Sequence, residues 1–283
     1  MRSYRSRILS AESRPRWNLP FAKPRGFLLF ALIAAAVLFP VSGATADTAF
    51  PDRFVGAIEA AHGADAWWSQ RAVSADIAVD FGGQRVLEGR LLTDTPGGRV
   101  RIELVDGSVM VFDGKDAWTS PADSAAQGAR FHLLTWPYFL AAPMKLRDPG
   151  THLEDLGDVP LADGRTAPAA RLTFSDGIGD TPEDWYVVYR NRDSDRLAAM
   201  AYIVTFGKDL AKAEEEPHVI VYGAFKDIDG VTVPTRWSFY DWNSEQGVVG
   251  EPIGRATLDN VRFVDPAADA FVAPRGSRPE PAP

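Results

Sequence analysis

The residue types that could carry out chemistry are few and scattered. The 283-residue chain has four histidines, His62, His132, His152 and His218, and no cysteine. Histidine is the usual general base and metal ligand near neutral pH. No two of these sit at metal-ligand spacing, and there is no H-E-x-x-H pair. The missing thiols rule out cysteine nucleophiles and Cys-ligated metals. No G-x-S-x-G elbow, P-loop or dinucleotide fingerprint is present. Gly177-Ile178-Gly179-Asp180 begins like a phosphate loop but never completes G-x-G-x-x-G, so it reads as a turn. Asp227-Ile228-Asp229-Gly230 begins like a calcium loop without the later ligands or closing glutamate, so it reads as a hairpin turn. Asp76 and Asp80 share the polar face of a strand. Paired carboxylates can do acid–base work, but surface acids on an acidic chain need no such role. Glu214-Glu215-Glu216 reads as a solvated loop. We therefore assign no catalytic residue, metal or cofactor, and expect a protein that is not an enzyme. A site assembled from distant residues stays open.

The remaining candidate chemistry is apolar. Phe131 to Leu146, FHLLTWPYFLAAPMKL, is the densest apolar segment after residue 46. Pro137 and Pro143 predict two short helical pieces. A helical segment without a polar face is either core on all sides or the wall of a greasy cavity.

The elements that would position this segment are strands. Val100, Ile102 and Leu104 alternate with Arg101 and Glu103, the period of a half-buried strand. Asp106-Gly107 and Asp113-Gly114 then predict two type I′ hairpins, flanking Val109 to Phe112 and leading to Trp118. Upstream, Val73 to Phe81 alternates cleanly. Gly82-Gly83 turns the chain into Gln84 to Thr93, and Pro96-Gly97-Gly98 turns it again. About five consecutive antiparallel strands follow one helix over Pro51–His62, whose apolar face is Phe54, Val55, Ile58 and Ala61. Gly63 ends that helix, and Trp67-Trp68 form a short cap. A second series of strands is expected over 167–174, 185–190, 197–206, 218–225, 231–241 and 255–264. Asp229-Gly230 is a further hairpin turn, and Pro234 marks an edge or bulge.

The two ends of the chain differ from its middle. Residues 1–25 hold seven Lys/Arg and one acid, Phe27 to Phe39 is unbroken apolar sequence, and Ala44-Thr45-Ala46 is a small-x-small cleavage site. This predicts a signal peptide over residues 1–46. The alternative, an uncleaved anchor, needs a longer apolar run, of about 20 residues. Without the leader, 23 basic face 37 acidic residues, a formal charge of −14. That disfavours nucleic acid and anionic membrane surfaces. A chain of this size can bury about 70% of its unfolded surface, so residues 47–273 are expected to form one domain. The Pro-rich tail, 274–283, is expected to be disordered.

These residues carry a resemblance. The leader, the amphipathic helix, the meander with Phe112-Asp113-Gly114-Lys115 and Trp118, the apolar segment, the further strands and the closing Phe271-Val272-Ala273-Pro274 resemble, in that order, the periplasmic lipoprotein-carrier superfamily (LolA/LolB-like). The resemblance implies a mainly β (α+β) fold: a curved antiparallel sheet forming an incomplete barrel, lidded by the N-terminal helix and a short apolar helical plug. It implies an exported, periplasmic, monomeric protein that binds lipid or the acyl chains of a lipoprotein, with a possible envelope membrane partner. The candidate lipid-binding residues are Phe131, Leu134, Trp136, Tyr138, Phe139 and Leu140 of the plug, with Ile102 and Trp118 of the meander. Two other readings stand beside it, an envelope hydrolase with a dispersed site and a non-catalytic sensor or scaffold that binds a protein.

Overall fold

The computed structural model describes residues 49–95 and 98–283. The leader expected over 1–46 lies outside the described residues, as do Pro96 and Gly97 of the predicted turn. Helix α1 (Ala49–His62) buries Phe54, Val55 and Ile58, the face read from the sequence. A short helix α2 (Ala64–Ser69) follows directly and buries Trp67. Gly63 between them has φ 73°, and a Cβ there would lie 2.0 Å from the Gly230 carbonyl oxygen. Close approach to the sheet as well as backbone conformation therefore requires glycine.

The described strands form one antiparallel sheet. Its first half is the meander β1 (Ala72–Phe81), β2 (Gln84–Asp94), β3 (Val100–Leu104), β4 (Val109–Phe112) and β5 (Ala117–Ser120). Helix α3 (Ala129–Ala141) and a 3-10 turn (Ala142–Met144) interrupt the strands. The second half is β6 (Thr151–Ala162), β7 (Arg165–Phe174), β8 (Tyr186–Arg190), β9 (Leu197–Tyr202), β10 (His218–Ile228), β11 (Val231–Asn243) and β12 (Gly247–Val264), with a short helix α4 (Leu210–Ala213) before β10. The spatial order is β13-β5-β4-β3-β2-β1-β12-β11-β10-β9-β8-β7-β6, where β13 is Arg278–Glu280. The β1–β12 pairing joins the two halves, and the sheet does not close between β13 and β6. Register shifts in β1, β2, β6, β11 and β12 supply local curvature.

Alternation along the second-half strands places apolar residues on both faces. Ala170, Leu172, Val188, Met200 and Ile220 join the main core with α1 and α3. Their sequence neighbours Ala169, Val187, Tyr189, Ala201 and Val219 form a second cluster on the other face, closed by side chains such as Leu161, Trp242 and Val248. The sheet curls far enough to bring β6 back to β12: a Cβ on Gly247 would sit 2.3 Å from the Leu161 carbonyl oxygen.

Four expectations need correction. The two meander turns are not type I′, because positive φ falls on Gly107 (87°) and Gly114 (103°) alone, not on the preceding aspartates. The first is a three-residue loop closed by Leu104 N–H to Ser108, ending in left-handed Gly107. In the second, the Asp113 amide donates to the Asp116 carbonyl at 3.1 Å, and Asp113 Oδ1 accepts from the amides of Lys115 and Asp116. Strand β6 was not expected at all. It is a polar edge strand containing Gly157 and Pro160, the composition that edges tolerate and that hides them from periodicity. Pro137 does not break the plug; α3 runs through it, and the turn to 3-10 geometry comes at Ala142. Pro234 does fit the edge-or-bulge reading: it pairs with Phe225 of β10 alone, since β12 pairs with β11 only from Arg236 on, and it lies next to a distortion at Ala224 with φ 49°. The Pro-rich tail is ordered: β13 pairs with β5, and Arg278 donates to the carbonyls of Ala122, Ser124 and Ala126.

Candidate functional site

Helix α3 crosses the inner face of the sheet because it has almost nothing polar to show water. Leu133 is fully buried, and Trp136, Phe139 and Leu140 are nearly so. The Phe139 ring centroid lies 5.2 Å from Tyr202 of β9 and 6.2 Å from Phe239 of β11. Trp136 meets Phe239 at 6.2 Å, and Phe81 of β1 meets Phe239 at 4.9 Å. This aromatic stack pins the helix without filling the space beside it. A cavity of about 680 Å³ remains between α3, the ends of β7 to β10 and the loop Ser175–Asp184. That volume falls in the range of small-molecule sites. Val86 and Ile178, exposed large apolar residues, lie on its lining and mark its mouth.

Five of the eight candidate residues line this cavity: Phe131, Leu134, Trp136, Tyr138 and Phe139. The other three do not. Leu140 and Ile102 are buried in the main core. Trp118 sits on β5, between Val111 of β4 and Pro279 of β13, away from the cavity. The sequence reading missed Phe81, Phe174, Tyr186, Tyr202 and Phe206, which complete the apolar lining. The signal was present in the strand period: Tyr186 shares a face with Val188, and Tyr202 with Met200, both in the core under α3.

The polar groups of the cavity are mostly held by specific partners. His132 Nδ1 accepts from Trp136 Nε1 at 2.9 Å, which fixes the neutral tautomer with its proton on Nε2. Burial lowers its pKa to about 4. Asp184 accepts from the Thr205 amide, the Thr205 hydroxyl and the Thr181 hydroxyl, each at 2.8 Å, and burial still raises its pKa. Lys145 pairs with Asp148. Asp180 of the glycine-containing turn forms a two-pronged pair with Arg130 of α3, one prong at 2.8 Å. The turn is thus a flap tied to the helix, and it carries Ile178 over Gly150. The other histidines have other surroundings. His62 is fully buried away from the cavity: its Nδ1 donates to the Thr232 carbonyl at 2.7 Å, and Nε2 accepts the Leu197 amide at 3.0 Å. His152 Nε2 lies 2.8 Å from the Ser175 hydroxyl at an exposed position. Among the described residues no group of three or more metal-ligating side chains converges. The acids Asp76 and Asp80 lie on the exposed face, paired with Arg90 and Arg85.

An open, curled antiparallel sheet with a helix across its inner face and an apolar cavity between them is the class of fold the chain belongs to. Among solved structures the chain resembles a LolA superfamily protein from Nitrosomonas europaea, with TM-score 0.50 and 13% identity over 79% of this chain and 97% of that one. It is also similar to an outer membrane lipoprotein-sorting protein domain from Vibrio parahaemolyticus (TM-score 0.47, 10% identity, 78% and 95% covered). A third similar structure is a DUF1329 family protein from Desulfovibrio piger (TM-score 0.46, 11% identity, 78% and 96% covered). No family model and no curated protein matches the sequence. The fold is LolA-like, as the resemblance implied.

Proposed function

We propose that this protein binds the acyl chain of a lipid or of an acylated polypeptide in the cavity beside α3, in the periplasm, as a carrier rather than an enzyme. The observation that carries this reading is the cavity itself: about 680 Å³, walled by aromatic and aliphatic side chains from α3 and the sheet. The apolar run and Ala44-Thr45-Ala46 site near the start of the chain support export. The sequence offers no catalytic motif, and His132 and Asp184 are held in structural hydrogen bonds. The test is native mass spectrometry of protein purified from the cell envelope, beside displacement of a fluorescent fatty acid. A bound species of lipid or acylated-peptide mass, and saturable displacement, are expected. Protein that is always empty and never takes up the probe overturns the reading. N-terminal sequencing of the same sample is expected to begin at Asp47; a start at Met1 in the membrane pellet overturns the soluble carrier.

One observation favours a second reading. The His152–Ser175 contact is a base within reach of a hydroxyl, the first requirement of an acyl-transfer site. Turnover of a p-nitrophenyl ester that disappears in Ser175→Ala supports a hydrolase. Its absence leaves the contact a surface hydrogen bond.

A further inference from the structure

The charged groups that line the cavity do not balance. They are one base, Lys145, and three acids, Asp148, Asp180 and Asp184. Lys145 is paired with Asp148, and Asp180 with Arg130 of α3. Asp184 is left over, and it is only 8% exposed. Its partners are the Thr205 amide and the hydroxyls of Thr205 and Thr181, all of them neutral donors. Such donors favour the ionised carboxylate. They hold the charge in place without balancing it. Among the described residues no cation pairs with Asp184, and the other charge acting on it, that of Glu183, is also negative. A buried charge is normally met by an opposite one, because leaving it uncompensated is costly. Aromatic rings share this end of the cavity. The Asp184 charge acts on Tyr186, two residues along the chain, and opposes its ionisation. The Tyr186 ring centroid lies 5.9 Å from Phe174, at 86°, and 6.3 Å from Tyr202. All three rings line the cavity. His218 follows Tyr202 at 6.1 Å and has a further acid, Asp241, 3.4 Å from its Nδ1. Ring faces are negative, and ring faces beside an unbalanced carboxylate attract a cation.

We infer that this end of the cavity is an ammonium site: the bound amphiphile carries a protonated amine or quaternary ammonium, set among Phe174, Tyr186 and Tyr202 with Asp184 as its counter-ion. This rests on the proposed acyl-chain binding and names the head group that such binding selects. The chain lies against Phe81, Phe131 and Trp136, which present only hydrocarbon and ring faces. A free fatty acid is disfavoured, because its carboxylate would meet Asp184 where little water separates them.

The test is competition against a neutral fluorescent lipid probe at pH 8, in high salt so that the acidic surface is screened. Four ligands share a twelve-carbon chain: dodecyltrimethylammonium, dodecylamine, dodecanol and laurate. Wild type is expected to bind both cations about tenfold more tightly than dodecanol, and laurate more weakly than dodecanol. Two further ligands distinguish the sources of the cation. Tighter binding of N-lauroyl-lysinamide supports the site and assigns it to an acylated polypeptide. Tighter binding of lauroyl-lysophosphatidylcholine supports it and assigns it to a lipid head group. Asp184→Asn removes the charge and keeps an acceptor for the Thr205 amide; it is expected to bring the cations and dodecanol to nearly equal affinity. Tyr186→Leu removes a ring without changing a charge, and is expected to weaken dodecyltrimethylammonium more than dodecanol. It decides together with the wild-type ranking if Asp184→Asn does not fold. Dodecanol or laurate binding as tightly as both cations overturns the inference while leaving chain binding intact. So does an unchanged cation preference in Asp184→Asn. Failure of every ligand, probe included, overturns the cavity reading and this inference with it.

Discussion

Leu133 and Leu134 are adjacent on α3 and face different surroundings, which makes them a matched pair. Leu133 is fully exposed to the core and not at all to solvent, whereas Leu134 is half-buried on the cavity wall. Replacing Leu133 with glutamate forfeits the burial of a whole leucine side chain, about 1.5–3 kcal/mol. It also forces the new carboxyl to stay neutral in an apolar site. A glutamate kept neutral at pH 7 gives up the ionisation it has in the unfolded chain, where its pKa is about 4.3, and so loses about 3.7 kcal/mol more. The sum, roughly 5–7 kcal/mol, is comparable with the whole stability of a small domain, about 5–15 kcal/mol. Leu134→Glu should lose only the buried half of the transfer term, about 1 kcal/mol, because its carboxylate can remain in the water of the cavity. Its effect falls on binding instead, since a charge on the wall must be stripped of water before an acyl chain can lie against it. The assay is urea unfolding followed by tryptophan fluorescence, beside displacement of a fluorescent fatty acid. Leu133→Glu is expected to shift the midpoint severely or abolish cooperative folding. Leu134→Glu is expected to unfold near wild type and to bind the probe at least tenfold more weakly. Equal destabilisation of the two variants would return the whole segment to ordinary core, and unchanged probe affinity in Leu134→Glu would remove that wall from the binding site.

Further outcomes follow from other parts of the fold. His62 has its pKa lowered from 6.5 to about 4 by burial, so between those values the unfolded chain binds more protons, and stability falls as pH falls through that window. The loss from pH 7.5 to pH 5 is about 2 kcal/mol. His62→Gln is expected to flatten the pH dependence of the urea midpoint by that amount, and curves parallel to wild type would refute it; Asp184, with a raised pKa, responds with the opposite sign and cancels in the comparison. Gly114 has φ 103° and open space around its missing side chain, the nearest atom being Arg99 Cγ at 3.6 Å. Gly114→Val therefore costs backbone strain alone, about 1 kcal/mol or more, and an unchanged melting midpoint would show the turn to be differently built. Arg278→Ala removes three hydrogen bonds to the carbonyls of 122–126. It is expected to lower stability by about 1–2 kcal/mol and to speed amide exchange in β5 and β13, with unchanged exchange showing that the tail does not hold that edge.

The legible part of this protein is the part built on short-range rules. Alternation located β1 and β3, and Asp-Gly spacing located β4 and β5, because both signals lie within a few residues of the element they mark. The amphipathic stripe of Phe54, Val55 and Ile58 located α1 for the same reason. The strands of the second half have two apolar faces, so their sequence reads as apolar without saying which residue looks where. Tyr186 and Tyr202 were hidden in that ambiguity. β6 was hidden by the opposite problem, an edge strand with little buried on either side. Tyr138 was visible as bulk, but its unpaired hydroxyl is a property of three-dimensional surroundings and leaves no trace in sequence. The tail misled for a further reason. Proline-rich composition argues against a core, but Arg278 is held by carbonyls and by Glu280, and needs no core.

The size of the cavity itself constrains what the fold is for. The cavity of about 680 Å³ opens to solvent beside Val86 and Ile178, so it is a standing recess in the fold and not a sealed void. The walls cannot relax inward to reduce it, because Trp136, Phe139, Phe81 and Phe239 brace one another across α3, β1 and β11. Something must therefore occupy the space. Water can sit along Tyr186, Tyr202, His218 and Asp184, whose polar atoms offer it partners. Against Phe81, Phe131 and Trp136 it finds none, and water held there is displaced with gain by any chain that fits. The rigid aromatic brace, which looks like core packing in the sequence, is what keeps that apolar wall open to a ligand and so converts a packing defect into a binding site.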